Sequence, residues 1–199
     1  GKQEVELNFT HLFPRVTLTG RIDDEQLLEV NVKEAYIFGL QTQGDYRLDT
    51  GNSFNDGWLS NMSPLVQYIQ MEMSSTLKMT PEAQPLVVKG REPHVIPQKV
   101  KGWTAQALHD GAGIVMQVNI RNTHDKSWIV GSDNEYEYVY APFPLESLEA
   151  GKQYNIDILF GALYRDNGTP FGYQLSYQPE IVEWETVEES VELKRNVNN

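Results

Sequence analysis

EVELNFTHLFPRVTLT, residues 4–19, is the stretch from which the rest of the chain is best read. Val5, Leu7, Phe9, His11 and Phe13 occupy alternate positions, so in an extended chain they share one face while Glu6, Asn8 and Thr10 take the other. Pro14 has no N–H to give to a ladder, and beyond it the apolar residues move to even positions, Val16 and Leu18. This single change of phase predicts two strands joined through a kink or bulge. On that reading His11 is a buried histidine with a backbone partner rather than a metal ligand.

Outward from this stretch the same period of two recurs. Leu28, Val30, Val32, Tyr36, Phe38 and Leu40 keep to even positions, predicting one long strand or two broken near Lys33. Residues 49–63 collect Gly, Asn, Ser and Asp around Phe54, Trp58 and Met62, the composition of a long loop. Leu65, Ile69, Met71 and Met73 alternate again, after which Pro81, Pro85, Pro93 and Pro97 punctuate short extended pieces. Four cleaner strands follow, carried by Ile114, Met116, Val118 and Ile120, then Tyr136, Tyr138 and Tyr140, then Tyr154, Ile156, Ile158 and Phe160, then Phe171, Tyr173, Leu175 and Tyr177. The tyrosine stripe reads as one packed sheet face, since aromatics supply much of the area in β cores. Between the last two strands, RDNGT at residues 165–169 contains the Asn-Gly whose positive φ suits a tight hairpin. No window holds a helical period over three turns. The expected fold class is all-β, a sandwich of antiparallel strands with long irregular loops.

Composition narrows the function. At 199 residues the chain can bury a core unaided and reads as one domain, residues 1–199. It has no cysteine, which excludes disulfides, thiolate metal sites and a cysteine nucleophile. Sixteen Lys and Arg against 28 Asp and Glu give a formal net charge of -12, so the basic footprint that a nucleic acid partner requires is missing. No apolar run approaches the length of a membrane-spanning helix, and no signal-peptide pattern opens the chain. Gly1 reads as an expression scar, leaving room for a removed export signal or lipid-bearing cysteine.

Candidate chemistry is sparse. His11, His94, His109 and His124 lack short ligand spacings, and there is neither a nucleophile elbow nor a phosphate-cradling glycine loop. Asp49-Thr50-Gly51 matches the active-site triplet of aspartic proteases, with Trp128-Ile129-Val130-Gly131 as the apolar element behind it. That chemistry needs two carboxylates sharing a proton, and one triplet could supply them only in a homodimer. A turn is the preferred reading, and no catalytic residue, metal site or cofactor is nominated. Acidic clusters at Asp23-Asp24-Glu25, at Asp45, Asp49 and Asp56, and at residues 133–137 lack the EF-hand pattern and read as solvated turns. Trp58, Trp103 and Trp128 lie in loop-rich surroundings and form a candidate glycan platform. The tail beyond residue 184 is acidic and then basic, with Val187, Val191 and Leu193 its sizeable apolar residues. Besides a frayed end, it reads as an edge strand or a strand given to a neighbour, the candidate assembly strand.

Taken in order, several stretches resemble one family. They are Phe9, His11, Arg15 and Val16 in the opening strands, LQTQGDYRLDTG at 40–51, VIPQ at 95–98, LEAGKQYNIDI at 148–158 and IVEWE at 181–185. This order is similar to that of the fimbrillins, surface proteins and type V pilus subunits of Gram-negative anaerobes. The resemblance implies a Greek-key, transthyretin-like sandwich and gives structural weight to Phe9, His11, Val16, Tyr154 and Trp184. It further implies a non-enzymatic fimbrial subunit or adhesin, exported to the outer membrane as a processed lipoprotein, with other pilin-like subunits or itself as partners and surface glycans or proteins as further ones. The family's usual first domain has no counterpart here, as the chain opens almost at the Phe-x-His strand. A secreted glycan-binding module is the rival reading, with a dimeric aspartic protease a distant third.

Overall fold

Directly after Pro14, the first described strand, β1 (Arg15–Ile22), turns Val16, Leu18, Gly20 and Ile22 inward, the even set that the sequence predicts. The computed structural model describes residues 11–47, 58–59, 67–105, 110–166, 168 and 170–183. Phe9 and Trp184 lie outside these residues, as do the Asp49-Thr50-Gly51 triplet, His109 and the tail with Val187, Val191 and Leu193. His11 corrects its expectation: it is exposed and stands before β1, not on a buried strand face.

After β1 come β2 (Leu28–Phe38), β3 (Asp45–Tyr46), β4 (Trp58–Leu59), β5 (Tyr68–Met71), β6 (Leu77–Lys78), β7 (Gln84–Pro85) and β8 (Gln98–Lys99). The second half holds β9 (Gly113–Asn122), β10 (Trp128–Val130), β11 (Glu137–Pro142), β12 (Ser147–Leu148), β13 (Lys152–Tyr164) and β14 (Pro170–Glu183). No helix occurs among the described residues. One sheet has the order β14-β13-β1-β7; in the other, β9 and β2 are central, with β10 and β11 along the far side of β9 and β5 and β6 along that of β2. β3 and β4 make a small hairpin, so Trp58 and Leu59, expected in a loop, pair with Tyr46 and Asp45.

Both sheets turn their apolar faces onto one buried cluster. Leu18, Ile22, Ile156, Ile158 and Phe160 meet Leu28, Val30, Ile37, Ile114, Met116 and Val118 there. Each such side chain fully withdrawn from water contributes about 1.5–3 kcal/mol. β1 and β13 run parallel, from Arg15 opposite Gln153 to Ile22 opposite Phe160, the one parallel strand pair of the two sheets among the described residues. β13 and β14 form a long antiparallel hairpin, and Gly168, at φ +79°, closes its turn by donating its N–H to the Arg165 carbonyl at 2.8 Å.

Two local devices explain motifs seen in the sequence. In the 148–158 stretch, the fully buried Tyr154 places its hydroxyl to accept a 2.7 Å hydrogen bond from the Glu149 N–H, locking the turn before β13. In VIPQ, the Gln98 side chain acts as a strand edge. Its Oε1 accepts from Gln41 N at 3.0 Å and its Nε2 donates to Gln41 O at 3.0 Å, holding the exit of β2 against Val95 and Ile96.

β2 departs from its predicted phase. Leu28, Val30 and Val32 are buried, but beyond Lys33 the buried residues are Ala35, Ile37 and Phe38, and Tyr36 is on the outside. Val32 pairs with Val118 and Glu34 with Gln117, so Lys33 is an extra residue bulged out of the ladder. Removing it would leave Val32 and Glu34 consecutive with every face unchanged. Deletion of Lys33 should therefore retain a cooperative urea transition within about 1 kcal/mol of the parent. Deletion of Asn31 instead pushes Lys33 into the place of Val32 and should cost several kcal/mol. Equal loss in both proteins would contradict the bulge.

Candidate functional site

The bulge at Lys33 decides what the second sheet shows to solvent. Past it, Tyr36 points away from the core and lies opposite Val115 of β9, which in turn lies opposite Tyr140 of β11. The next row joins Tyr68, Phe38, Gly113 and Pro142, and the row on the other side joins Glu34, Gln117 and Tyr138. Bulky aromatics thus stand on β2, β5 and β11 on either side of the small residues of β9. Gly113 is required here: a β-carbon would clash with Phe38 Cζ and fall 2.7 Å from the Ala141 carbonyl oxygen.

Ring contacts hold this face together. Phe38, itself buried, packs against Tyr68 at 5.7 Å between centroids, against Trp103 at 6.0 Å and against Tyr140 at 6.3 Å, while Trp103 and Tyr140 lie 5.7 Å apart. Such contacts add about 0.5–1.5 kcal/mol each beyond burial and fix the rings' orientation. Tyr36, Tyr68, Val115, Tyr138 and Tyr140 line an open cleft of about 280 Å³. Tyr68, Tyr138 and Tyr140 remain 58%, 53% and 47% exposed. The tyrosine stripe is therefore not a packed core face: Val139 and Ala141 fill the core, and the tyrosines stand outside.

The phenols also sense one another. Tyr36 donates to Glu34 Oε2 at 2.6 Å. That hydrogen bond, then burial, then the charges of Glu34 and Tyr138 push its pKa up to about 12. Burial raises Tyr140, and the neighbouring phenols of Tyr68 and Tyr138 add to the shift.

The three tryptophans of the expected platform fall in three surroundings. Trp103 joins the aromatic face. Trp58 packs between Phe13 and Tyr46 at 5.1 and 5.2 Å, and Trp128 lies under the Arg121 guanidinium at 5.5 Å. Tyr36 and Tyr68 are the contributors that sequence reading missed; the signal was the move of apolar residues from Leu28, Val30 and Val32 to Ala35 and Ile37. Among the described residues, no three His, Asp or Glu side chains converge as metal ligands. Asp125, between β9 and β10, accepts from Ser127 Oγ at 2.6 Å and Ser127 N at 2.9 Å, which holds its carboxyl below the usual range.

A second feature is the rim of the first sheet. β14 runs fourteen residues along β13, and among the described residues no strand pairs with its other side. Tyr173, Leu175 and Tyr177 lean on the core, whereas Phe171 and Ile181, near its two ends, are exposed. Pro179 sits in its second half, opposite Ile156, a residue type confined to sheet edges and strand starts.

No protein-family model matches the chain, and no curated protein matches it. Among solved structures, it is similar to a candidate cell adhesion protein from Parabacteroides distasonis. The TM-score is 0.50 at 10% identity, over 90% of this chain and 54% of that one. A fimbrial protein from Bacteroides vulgatus superposes with a TM-score of 0.46 at 12% identity, over 89% of this chain and 56% of that one. The first likeness shows the fold, an all-β sandwich. The chain spans about half the length of the solved structures it matches.

The Tyr36 phenol gives a direct check of the aromatic face. The folded state keeps a proton that the unfolded phenol releases near its ordinary pKa of 10, so this stabilisation is full below pH 10 and is lost as pH rises towards 12. Spectrophotometric titration should show one late-titrating phenol fewer in Tyr36→Phe, and an earlier one in Glu34→Gln. Titration unchanged by Glu34→Gln would mean that the Tyr36–Glu34 bond does not form.

Proposed function

We propose that this chain is a non-enzymatic, cell-surface subunit of fimbrial type, structural or adhesive, that assembles by strand addition. The observation that carries the reading is β14: a long edge strand with one row of main-chain groups unpaired among the described residues is a template for another strand. Pro179 interrupts that row, so the segment from Pro170 to Gln178 offers the longer continuous docking edge. The sandwich fold supports the same reading, since the proteins that share it include ones described as cell adhesion and fimbrial proteins.

The donated strand is the segment 186–199, with Val187, Val191 and Leu193 as its alternating anchors, and the whole of 1–199 is one sandwich domain. The partners are copies of this chain or other pilin-like subunits. Export to the outer membrane as a lipoprotein belongs to the same proposal.

Deleting residues 186–199 tests it. The parent should assemble with rising concentration in sedimentation; the shortened chain should keep its circular dichroism and cooperative melting but not assemble, and a peptide of that sequence should rebind. Loss of folding would make the segment part of the core sheet. Identical sedimentation of the two proteins at every concentration would remove strand donation by this segment.

A further inference from the structure

We infer that the cleft between Tyr36, Tyr68, Tyr138 and Tyr140 is a glycan-binding site that takes a neutral sugar ring. The inference rests on the adhesive side of the reading above and is independent of strand addition.

The chemistry of the lining selects the ligand. The walls are tyrosine rings and Val115 lies among them, so a ligand must offer an apolar surface to lie against them. The hydroxyls of Tyr68, Tyr138 and Tyr140 make no hydrogen bond within the described residues, so it must also offer donors and acceptors around its rim. A purely hydrocarbon partner would strand those hydroxyls without compensation, at a cost that makes it the poorer fit. A pyranose combines both requirements: axial C–H bonds on one face and hydroxyls around the edge. Gln117, opposite Tyr138, carries a buried side-chain oxygen with no partner among the described residues.

Charge selects a neutral sugar. No cationic side chain lines the cleft, and the nearby Lys33 ammonium lies over the Tyr136 ring, 5.6 Å from its centroid. An anionic ligand would meet no counter-charge and a chain of net charge -12. A quaternary ammonium ion would suit tyrosine faces, but such ions are recognised by rings that enclose them, and this cleft is open to one side. The carboxylate that would favour a cation, Glu34, is already engaged by the Tyr36 hydroxyl. The volume of about 280 Å³ lies just under the roughly 300–1,000 Å³ of drug-sized ligand sites and suits one or two sugar rings.

The cleft is also preorganised. Tyr36 and Tyr140 are fixed on either side of Val115 by strand register, and the Phe38 and Trp103 rings buttress Tyr68 and Tyr140. Little side-chain order remains to be lost on binding, which favours a weak ligand such as a single sugar unit.

The test uses the full chain at a concentration where it sediments as a monomer, so that failure of assembly does not affect it. Neutral gluco-, galacto-, manno- and fuco-oligosaccharides are titrated at up to millimolar concentration, read by intrinsic fluorescence and by ligand-observed NMR. A choline salt and a proline-rich peptide are the comparison probes. At least one neutral glycan should bind, with affinity about tenfold lower in both Tyr138→Ala and Tyr140→Ala, roughly what one stacked aromatic face contributes. Tyr140→Phe, which keeps the ring and removes the hydroxyl, should lose less. Tyr164→Ala, at the far end of β13, should bind like the parent and controls for general damage. The inference is overturned if no neutral glycan binds the folded parent, if binding survives both alanine substitutions, or if only choline or the peptide is bound at this face.

Discussion

The parallel pairing of β1 with β13 is the contact on which the rest of the sandwich depends. It brings residues 15–22 against 153–160, joining the two ends of the described fold in one sheet. Inward, Val16, Leu18 and Ile22 stand beside Tyr154, Ile156, Ile158 and Phe160, which makes this strip one wall of the core. Outward, the pair is bound by polar side chains: Thr17 to Asn155 at 2.8 Å, Thr19 to Asp157 at 2.8 Å, and Arg21 to Asp157 at 2.5 Å. Arg21 and Asp157 are only partly exposed, so their hydrogen-bonded pairing is better defined than that of a loose surface ion pair, and Arg21 also reaches Gln178 of β14 at 3.3 Å. Closing so long a loop is entropically costly and kinetically slow, and the two-faced character of the pair is what makes the closure worthwhile.

Once that wall stands, the second sheet can afford to be two-sided. β9 is buried on both faces, with Ile114, Met116, Val118 and Ile120 in the core and Val115 beneath the tyrosines. The bulge at Lys33 is what allows this. Without a change of phase, Ala35 and Ile37 would face solvent and Tyr36 would be driven into the core. One extra residue in one strand thus keeps the hydrophobic cluster continuous and at the same time builds the outer aromatic face.

These features explain what could be read in the sequence and what could not. Alternation is a local property, so β1, β9 and β13 were legible from Val16 and Leu18, from Ile114 to Ile120 and from Tyr154 to Phe160. The turn before β14 was legible because its glycine has only one job. His11 misled because alternation alone does not say whether a residue is buried. The tyrosines of β11 misled for a different reason: Tyr138 and Tyr140 alternate perfectly with Val139 and Ala141, and only the sheet's placement tells which set faces the core. The aromatic cleft itself unites residues from β2, β5, β9 and β11, and no periodicity in one segment can announce that. Likewise, alternation says nothing of who pairs with whom, so neither the parallel pair nor the open edge of β14 was visible.

On the proposed reading, the two surfaces divide the work. The rim of β14 is suited to holding a neighbouring strand through main-chain groups, while the aromatic face belongs to the opposite sheet and stays clear of it. A subunit built this way can be incorporated into a fibre and still present a recognition surface. The claim that the chain is a component of surface fibres is tested most directly by immunogold electron microscopy. An antibody to this chain is applied to the cells that produce it, intact and permeabilised. Gold particles along fibres on intact cells are the expected result; labelling that appears only after permeabilisation would contradict it.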